Sequence, residues 1–139
     1  MKTRIAIAVL DGFLAITALV GAMIVIPALP TSMLAGSVFP DFLVPALALG
    51  VLVAGSALVA AVAVMFWPRL GAAAAMVSAM TIVVFELVEI TTVGYHWLQV
   101  AYIVVGMVIA ALGFRVWAVE GGYIPSIRHA GRHHTASMS

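Results

Sequence analysis

Two acidic residues, Glu86 and Glu89, lie inside an apolar stretch of the chain that is long enough to cross a bilayer. Residues three apart on an α-helix point to the same side, so the two carboxyl groups would share one face. A carboxylate among lipid tails is energetically costly, which means that each acid must face protein, water or a bound partner. The pair is therefore a candidate for binding a proton, a cation or a ligand inside the membrane.

Two further residues, His96 and Asp41, could join these acids. The helical rise places Glu86 and Glu89 in the half of their span that leads to His96, which would continue the face of Glu89 if the helix lasted that far. Asp41 stands at the corresponding end of the preceding span. We expect all four side chains to converge on one outward-facing pocket, where they are ion- or ligand-binding candidates.

A purely structural interpretation of the acids stays open beside this one. Glu89 could reach water among the lipid headgroups. Glu86 could carry a proton and form a hydrogen bond with Ser56, Thr81 or a backbone carbonyl group. In that case the two acids would have no role beyond being satisfied by their surroundings.

Another acid, Asp11, interrupts the first apolar run, and Arg115 interrupts the last. By the helical rise, both lie on the inner side of the midpoints of their spans, at similar depths. Similar depth favours a structural ion pair, because removing one partner would leave the other charge unpaired in lipid. We therefore predict that Asp11 and Arg115 contact each other.

The composition removes several kinds of chemistry. The chain has no cysteine, which excludes disulfides, thiolate-bound zinc and iron–sulfur clusters. A single histidine near the spans excludes haem held by two intramembrane histidines, and no nucleophile–base pair or phosphate-binding loop is present. The remaining histidines belong to the polar tail, namely His129, His133 and His134. We predict a protein that is not an enzyme, without metal or cofactor, and with no affinity for nucleic acid.

The chain has 139 residues, of which 65% are hydrophobic and 8% are charged. In soluble domains roughly a quarter of the residues are charged, so this composition indicates an integral membrane protein. A span needs roughly 20 apolar residues. We predict one all-α membrane domain, an up-down four-helix bundle over residues 1–122, and a polar, disordered cytoplasmic tail over 123–139. The spans are expected at about 5–26, 42–67, 70–94 and 98–119, with an outer loop at 27–41.

The positions of the basic residues predict the orientation. The first apolar run is longer than a signal-peptide core, so we expect it to be retained as a span. With four spans, all six basic residues fall on one side of the membrane: Lys2, Arg4, Arg69, Arg115, Arg128 and Arg132. The loops at 27–41 and 94–97 have none. The positive-inside rule then places both termini in the cytoplasm, in a bacterial inner membrane.

Glycines recur within the predicted spans, at Gly12, Gly21, Gly50, Gly55, Gly106 and Gly113. Small residues in membrane helices let neighbouring backbones approach closely. We interpret these glycines as packing residues and expect the bundle to form an oligomer or to bind a larger membrane protein as well as lipid.

Two segments resemble a known kind of protein. They read LPTSMLAGSVFPDFLVPALALGVLV (29–53) and VGYHWLQVAYIVVG (93–106). They are similar to uncharacterised small bacterial membrane proteins with four helices, and more loosely to DoxX-like membrane proteins. The resemblance covers about three-quarters of the chain and implies four spans with a structured outer loop, but no activity. The third helix of such proteins often has Trp or Gln in place of Glu86 and Glu89, which argues against a catalytic pair common to the family.

Three functions are compatible with these observations. The first is a non-enzymatic accessory or structural subunit of a membrane assembly. The second is a small proton- or cation-coupled transporter, in which Glu86 binds the ion and Glu89, His96 and Asp41 line its entrance. The third is a lipid- or quinone-binding protein with a groove beneath the outer loop, lined by Trp97 and His96.

Overall fold

A computed structural model describes residues 1–121, which form five α-helices joined by short connections. The helices are α1 (Lys2–Ala28), α2 (Leu43–Leu47), α3 (Ala54–Phe66), α4 (Pro68–Thr92) and α5 (Trp97–Glu120). A π-helical segment, Ala48–Val53, joins α2 to α3, so these three pieces form one long helical element. The tail predicted for residues 123–139 lies outside the described residues.

The described part of the chain confirms the predicted all-helical class and has four candidate membrane spans. Four helical elements are long and apolar enough to cross a membrane, and they are the first to fourth spans in chain order: Lys2–Ala28, Leu43–Phe66, Pro68–Thr92 and Trp97–Glu120. Each is long enough, and apolar enough on average, for the thickness of a bilayer.

The connection between the first two spans is structured. α1 continues through Pro27 and ends at Ala28, slightly later than the sequence predicts. A 3₁₀ turn, Thr31–Leu34, comes next, and the Leu34 side chain is buried. The loop therefore folds back onto the helices, in agreement with its apolar composition. Pro45 lies in the first turn of α2, where a missing amide hydrogen is tolerated.

The interior of the bundle is built mainly from alanine. α4 lies at its centre and makes its most extensive contacts with α5 and α3, whereas α1 packs mainly on α3. The fully buried alanines on the α3 and α4 sides of this packing are Ala57, Ala60, Ala72 and Ala75. Side chains this small let helix backbones approach closely. Between helices in lipid, such close packing drives association, because lipid tails are as apolar as the side chains.

The glycines differ in how closely they are packed. A Cβ atom added to Gly106 would lie 2.8 Å from Ile82 Cγ2, and one added to Gly113 would lie 3.0 Å from the carbonyl oxygen of Ala72. These α5 glycines are packing residues, as predicted. The prediction is wrong for Gly12 and Gly55, because an added Cβ would meet no atom within 4 Å at either position.

Basic side chains hold one end of the bundle together. The Arg4 Nε donates a hydrogen bond of 2.9 Å to the carbonyl oxygen of Val64, and its Nη2 donates to the carbonyl oxygen of Met65. These carbonyls belong to the last turn of α3, where a positive charge is favourable. The Arg69 guanidinium lies 5.5 Å from the ring centre of Trp117. The beginning of α1, the α3–α4 junction and the end of α5 are therefore neighbours.

Candidate functional site

A groove of about 790 Å³ lies between the second and third spans. One wall consists of α2 and the π-helical segment, and the other is the α4 surface from Ala73 to Val93. The end of α1 and Phe39 of the connecting loop close it at one end. This is the groove beneath the loop that the third predicted function requires. The predicted lining residues Trp97 and His96 are both exposed and neither lines it.

The groove lies beside the part of the second span that does not pack closely on α4. α2 packs on α1, whereas α3 packs on both α1 and α4. The π-helical segment, Ala48–Val53, stands where this change occurs, and π-helical turns are a common cause of kinks in helices. The two spans consequently meet along α3 and separate along α2, and the groove fills the separation.

The chemistry of the groove is apolar with one acidic end. Its lining is aliphatic and aromatic except for Thr81, Glu89 and Thr92. The Thr81 hydroxyl donates to the carbonyl oxygen of Val77, and the Thr92 hydroxyl is likewise bonded to carbonyl oxygens of its own helix. Glu89 is thus the ionisable residue of the lining, and it lies near the end of α4.

Glu86 and Glu89 come together as predicted from their spacing. Glu86 is 3% exposed, and its carboxyl group is a neighbour of that of Glu89. The Oε2 of Glu86 has no hydrogen-bond partner among the described residues. Ser56 does not supply one, because its hydroxyl donates to the carbonyl oxygen of Val53.

Gln99 links Glu89 to the turn between α4 and α5, a role that is absent from the sequence-based predictions. Its Nε2 lies 3.5 Å from Glu89 Oε2 and donates a hydrogen bond of 3.1 Å to the carbonyl oxygen of Gly94. Its Oε1 accepts a hydrogen bond of 2.7 Å from the backbone amide of His96. Gln99 is buried, so this single amide orients both the turn and the Glu89 carboxyl group. A Gln at the third position of a helix is the signal for such a cap.

The His96 ring does not join the acids. α4 ends at Thr92, and Gly94 has a φ of +98°, so the chain turns before the helical face of Glu89 could reach His96. His96 instead precedes α5, where its Nδ1 accepts a hydrogen bond of 3.3 Å from the backbone amide of Leu98. It reaches the site only through its own backbone amide and Gln99.

Asp41 likewise has a local structural role. Its Oδ1 accepts a hydrogen bond of 2.9 Å from the backbone amide of Leu43, the first residue of α2. The side chain is exposed and does not line the groove. The predicted convergence is therefore limited to Glu86 and Glu89, with Gln99 in place of Asp41 and the imidazole.

The structure gives Asp11 a partner other than the predicted Arg115. Asp11 is fully buried, and its Oδ1 accepts a hydrogen bond of 2.8 Å from the hydroxyl of Ser78, which is also fully buried. The Oδ2 of Asp11 has no hydrogen-bond partner among residues 1–121, and Arg115 is exposed. Depth along the helices is equally compatible with Ser78, because Asp11 lies nine residues after the start of α1 and Ser78 ten after the start of α4.

Replacing Ser78 by alanine is expected to lower the free energy of unfolding by about 1 kcal/mol, because a buried carboxyl group loses its hydrogen bond. Arg115→Gln should have no measurable effect, since this side chain does not contact Asp11. Unfolding of both variants by SDS in mixed micelles measures the difference. If Arg115→Gln lost more stability than Ser78→Ala, the result would support the ion pair between Asp11 and Arg115 that the sequence predicts.

The Asp11–Ser78 contact is separate from the two glutamates. Ser78 and Glu86 are eight residues apart, or about 12 Å along α4. Ile82 lies between them, is 1% exposed, and contacts the position of Gly106 on α5. An aliphatic side chain in a tightly packed position offers no polar relay between the two sites.

Within residues 1–121, no three His, Asp or Glu side chains form a cluster that could hold a metal ion. No family model matches the chain, and neither the curated proteins nor the solved structures include a detectable relative. The resemblance to small four-helix bacterial membrane proteins therefore stays a prediction, and a proposal of function depends on the geometry of the groove.

Proposed function

We propose that this chain is a non-enzymatic multi-pass protein of a bacterial cytoplasmic membrane that holds one amphiphilic molecule of the bilayer in the groove between α2 and α4. The proposed topology is up-down with both termini in the cytoplasm. The contacts of Arg4 and Arg69 support it, because they join three chain segments at one end of the bundle. Basic residues concentrate on the cytoplasmic side of membrane proteins.

The groove itself carries the proposal. Its volume of about 790 Å³ falls within the range of ligand sites, roughly 300–1,000 Å³. Its lining is apolar over most of its length and acidic near one end, which is the polarity profile of an amphiphile. Since the surrounding phase of a membrane protein is lipid, molecules of this kind are present at high concentration beside the groove.

The contacts of the buried acids support binding more than transport. A transporter needs a polar route across the membrane, and Ile82 stands between Glu86 and the Asp11–Ser78 contact. Binding an amphiphile is compatible with the predicted role as an accessory subunit, because a lipid-loaded groove can serve a larger assembly. The oligomer or larger partner that this role implies stays a prediction.

Native mass spectrometry tests the proposal. The protein would be extracted in native lipid discs and stripped of loosely associated lipid by collisional activation. We expect a population that retains one amphiphile per chain after the other lipids have left. Loss of all lipid in a single step, at the activation that removes loosely associated lipid, would contradict the proposal.

A further inference from the structure

We propose that the groove selects amphiphiles with a positively charged amine headgroup, and that Glu89 is the residue that contacts this headgroup. This inference rests on the proposed function and names the class of ligand. The ligand would lie with its apolar chain between the π-helical segment and α4, and with its headgroup at the end of α4.

The charges around the groove favour a cation. In the described part of the chain, the lining contains one ionisable side chain, Glu89, and no Lys, Arg or His. Glu86 adds a second carboxyl group beside the first. An anionic headgroup placed here would meet like charge without a compensating partner, whereas an amine would be attracted to the carboxylate.

The arginines of the described chain lie too far away to neutralise this end. Arg69 is twenty residues before Glu89 on α4, which is about 30 Å along the helix, and it stacks on Trp117. Arg4 is bound to the carbonyl oxygen of Val64 at that same distant end. Arg115 is sixteen residues after Gln99 on α5, or about 24 Å away.

Glu89 is held in place but retains capacity to bind. Its contact with Gln99 Nε2 is long, at 3.5 Å, and Gln99 forms shorter hydrogen bonds with Gly94 and His96. The carboxyl group is half-buried, so it is accessible from the groove. An ammonium group supplies three donors and a positive charge, and such charge-assisted hydrogen bonds are about twice as strong as neutral ones.

Competition with matched single-chain probes tests the inference. Hexadecylamine and hexadecanol have the same tail and differ in headgroup, and both would compete with a photoreactive alkyl probe in lipid discs of fixed composition. We expect hexadecylamine to compete about tenfold better than hexadecanol with the wild-type protein, the ratio that one charge-assisted hydrogen bond provides. Glu89→Gln should remove this preference and leave competition by hexadecanol unchanged.

Glu120→Gln is the matched control, because it removes the same charge at the exposed end of α5, outside the groove. This variant should keep the preference for the amine. Since all proteins are compared in the same bilayer, differences in how the two probes partition cancel when the amine-to-alcohol ratio of each variant is divided by that of the wild type. A preference that is absent from the wild type, or that survives in Glu89→Gln, would overturn the cation inference and leave the binding function intact. Failure of hexadecanol to compete at all would contradict the binding function as well.

Discussion

Replacing Gly71 by alanine is expected to break the packing of α3 against α4. A Cβ atom at this position would lie 2.1 Å from both the Cα and the backbone nitrogen of Val64. These are backbone atoms of the neighbouring helix, so no change of rotamer can make room, and the α3–α4 junction itself would have to move. We expect a loss of at least about 3 kcal/mol, at the upper end of overpacking effects.

Gly55→Ala provides the control for this prediction. Gly55 lies in α3, and an added Cβ would meet no atom within 4 Å. Because alanine is the better helix former by about 1 kcal/mol, this variant should be as stable as the wild type or slightly more stable. Unfolding by SDS in mixed micelles measures both variants. Equal stability of Gly71→Ala and Gly55→Ala would show that α3 and α4 are not as close as described.

Replacing Val84 by tryptophan is expected to empty the groove. Val84 lines the groove wall on α4 and is 53% exposed, so a larger side chain there occupies the space of the ligand. Leu87 lies three residues later on the same helix, is 52% exposed, and does not line the groove. Tryptophan can therefore be introduced at two positions of α4 with similar exposure, one that lines the groove and one that does not.

We expect Val84→Trp to reduce the amphiphile retained in native mass spectrometry by at least about tenfold, and Leu87→Trp to retain it at the wild-type level. Both variants should unfold at the same SDS concentration, because both side chains project outward. Equal retention in the two variants would mean that the retained molecule is bound elsewhere on the surface.

The helices and their approximate bounds could be predicted because they depend on local sequence. A span is an apolar run of a length fixed by the bilayer, and Pro45 and Pro68 lie in the first turns of their helices, where proline is tolerated. The shared face of Glu86 and Glu89 could also be predicted from local geometry, because it depends only on their spacing of three residues within one helix.

The features that depend on the joining of helices could not be predicted in the same way. His96 would have continued the acidic face only if α4 had continued, and the positive φ of Gly94 ends that continuity. The partner of Asp11 depended on which helices are neighbours, a long-range property that depth alone leaves ambiguous between Ser78 and Arg115. The apolar sequence of the second span also did not distinguish a π-helical segment at 48–53 from a continuous α-helix.

The glycines illustrate the same division. Every glycine within a span can be interpreted as a packing residue from the sequence. A larger residue is excluded by packing only where the glycine contacts a neighbouring helix. Gly71, Gly106 and Gly113 have such contacts, whereas Gly12 and Gly55 do not. Because these contacts depend on how two helices face each other, they are visible in the structure and not in the pattern of small residues along one helix.

An experimental structure of the protein crystallised from a lipidic mesophase would test the groove most directly. We expect α2 and the π-helical segment to stand apart from α4, with elongated electron density between them that ends beside the Glu89 carboxyl group. A second span that packs against α4 along its whole length, leaving no space for an acyl chain, would contradict the proposed binding function.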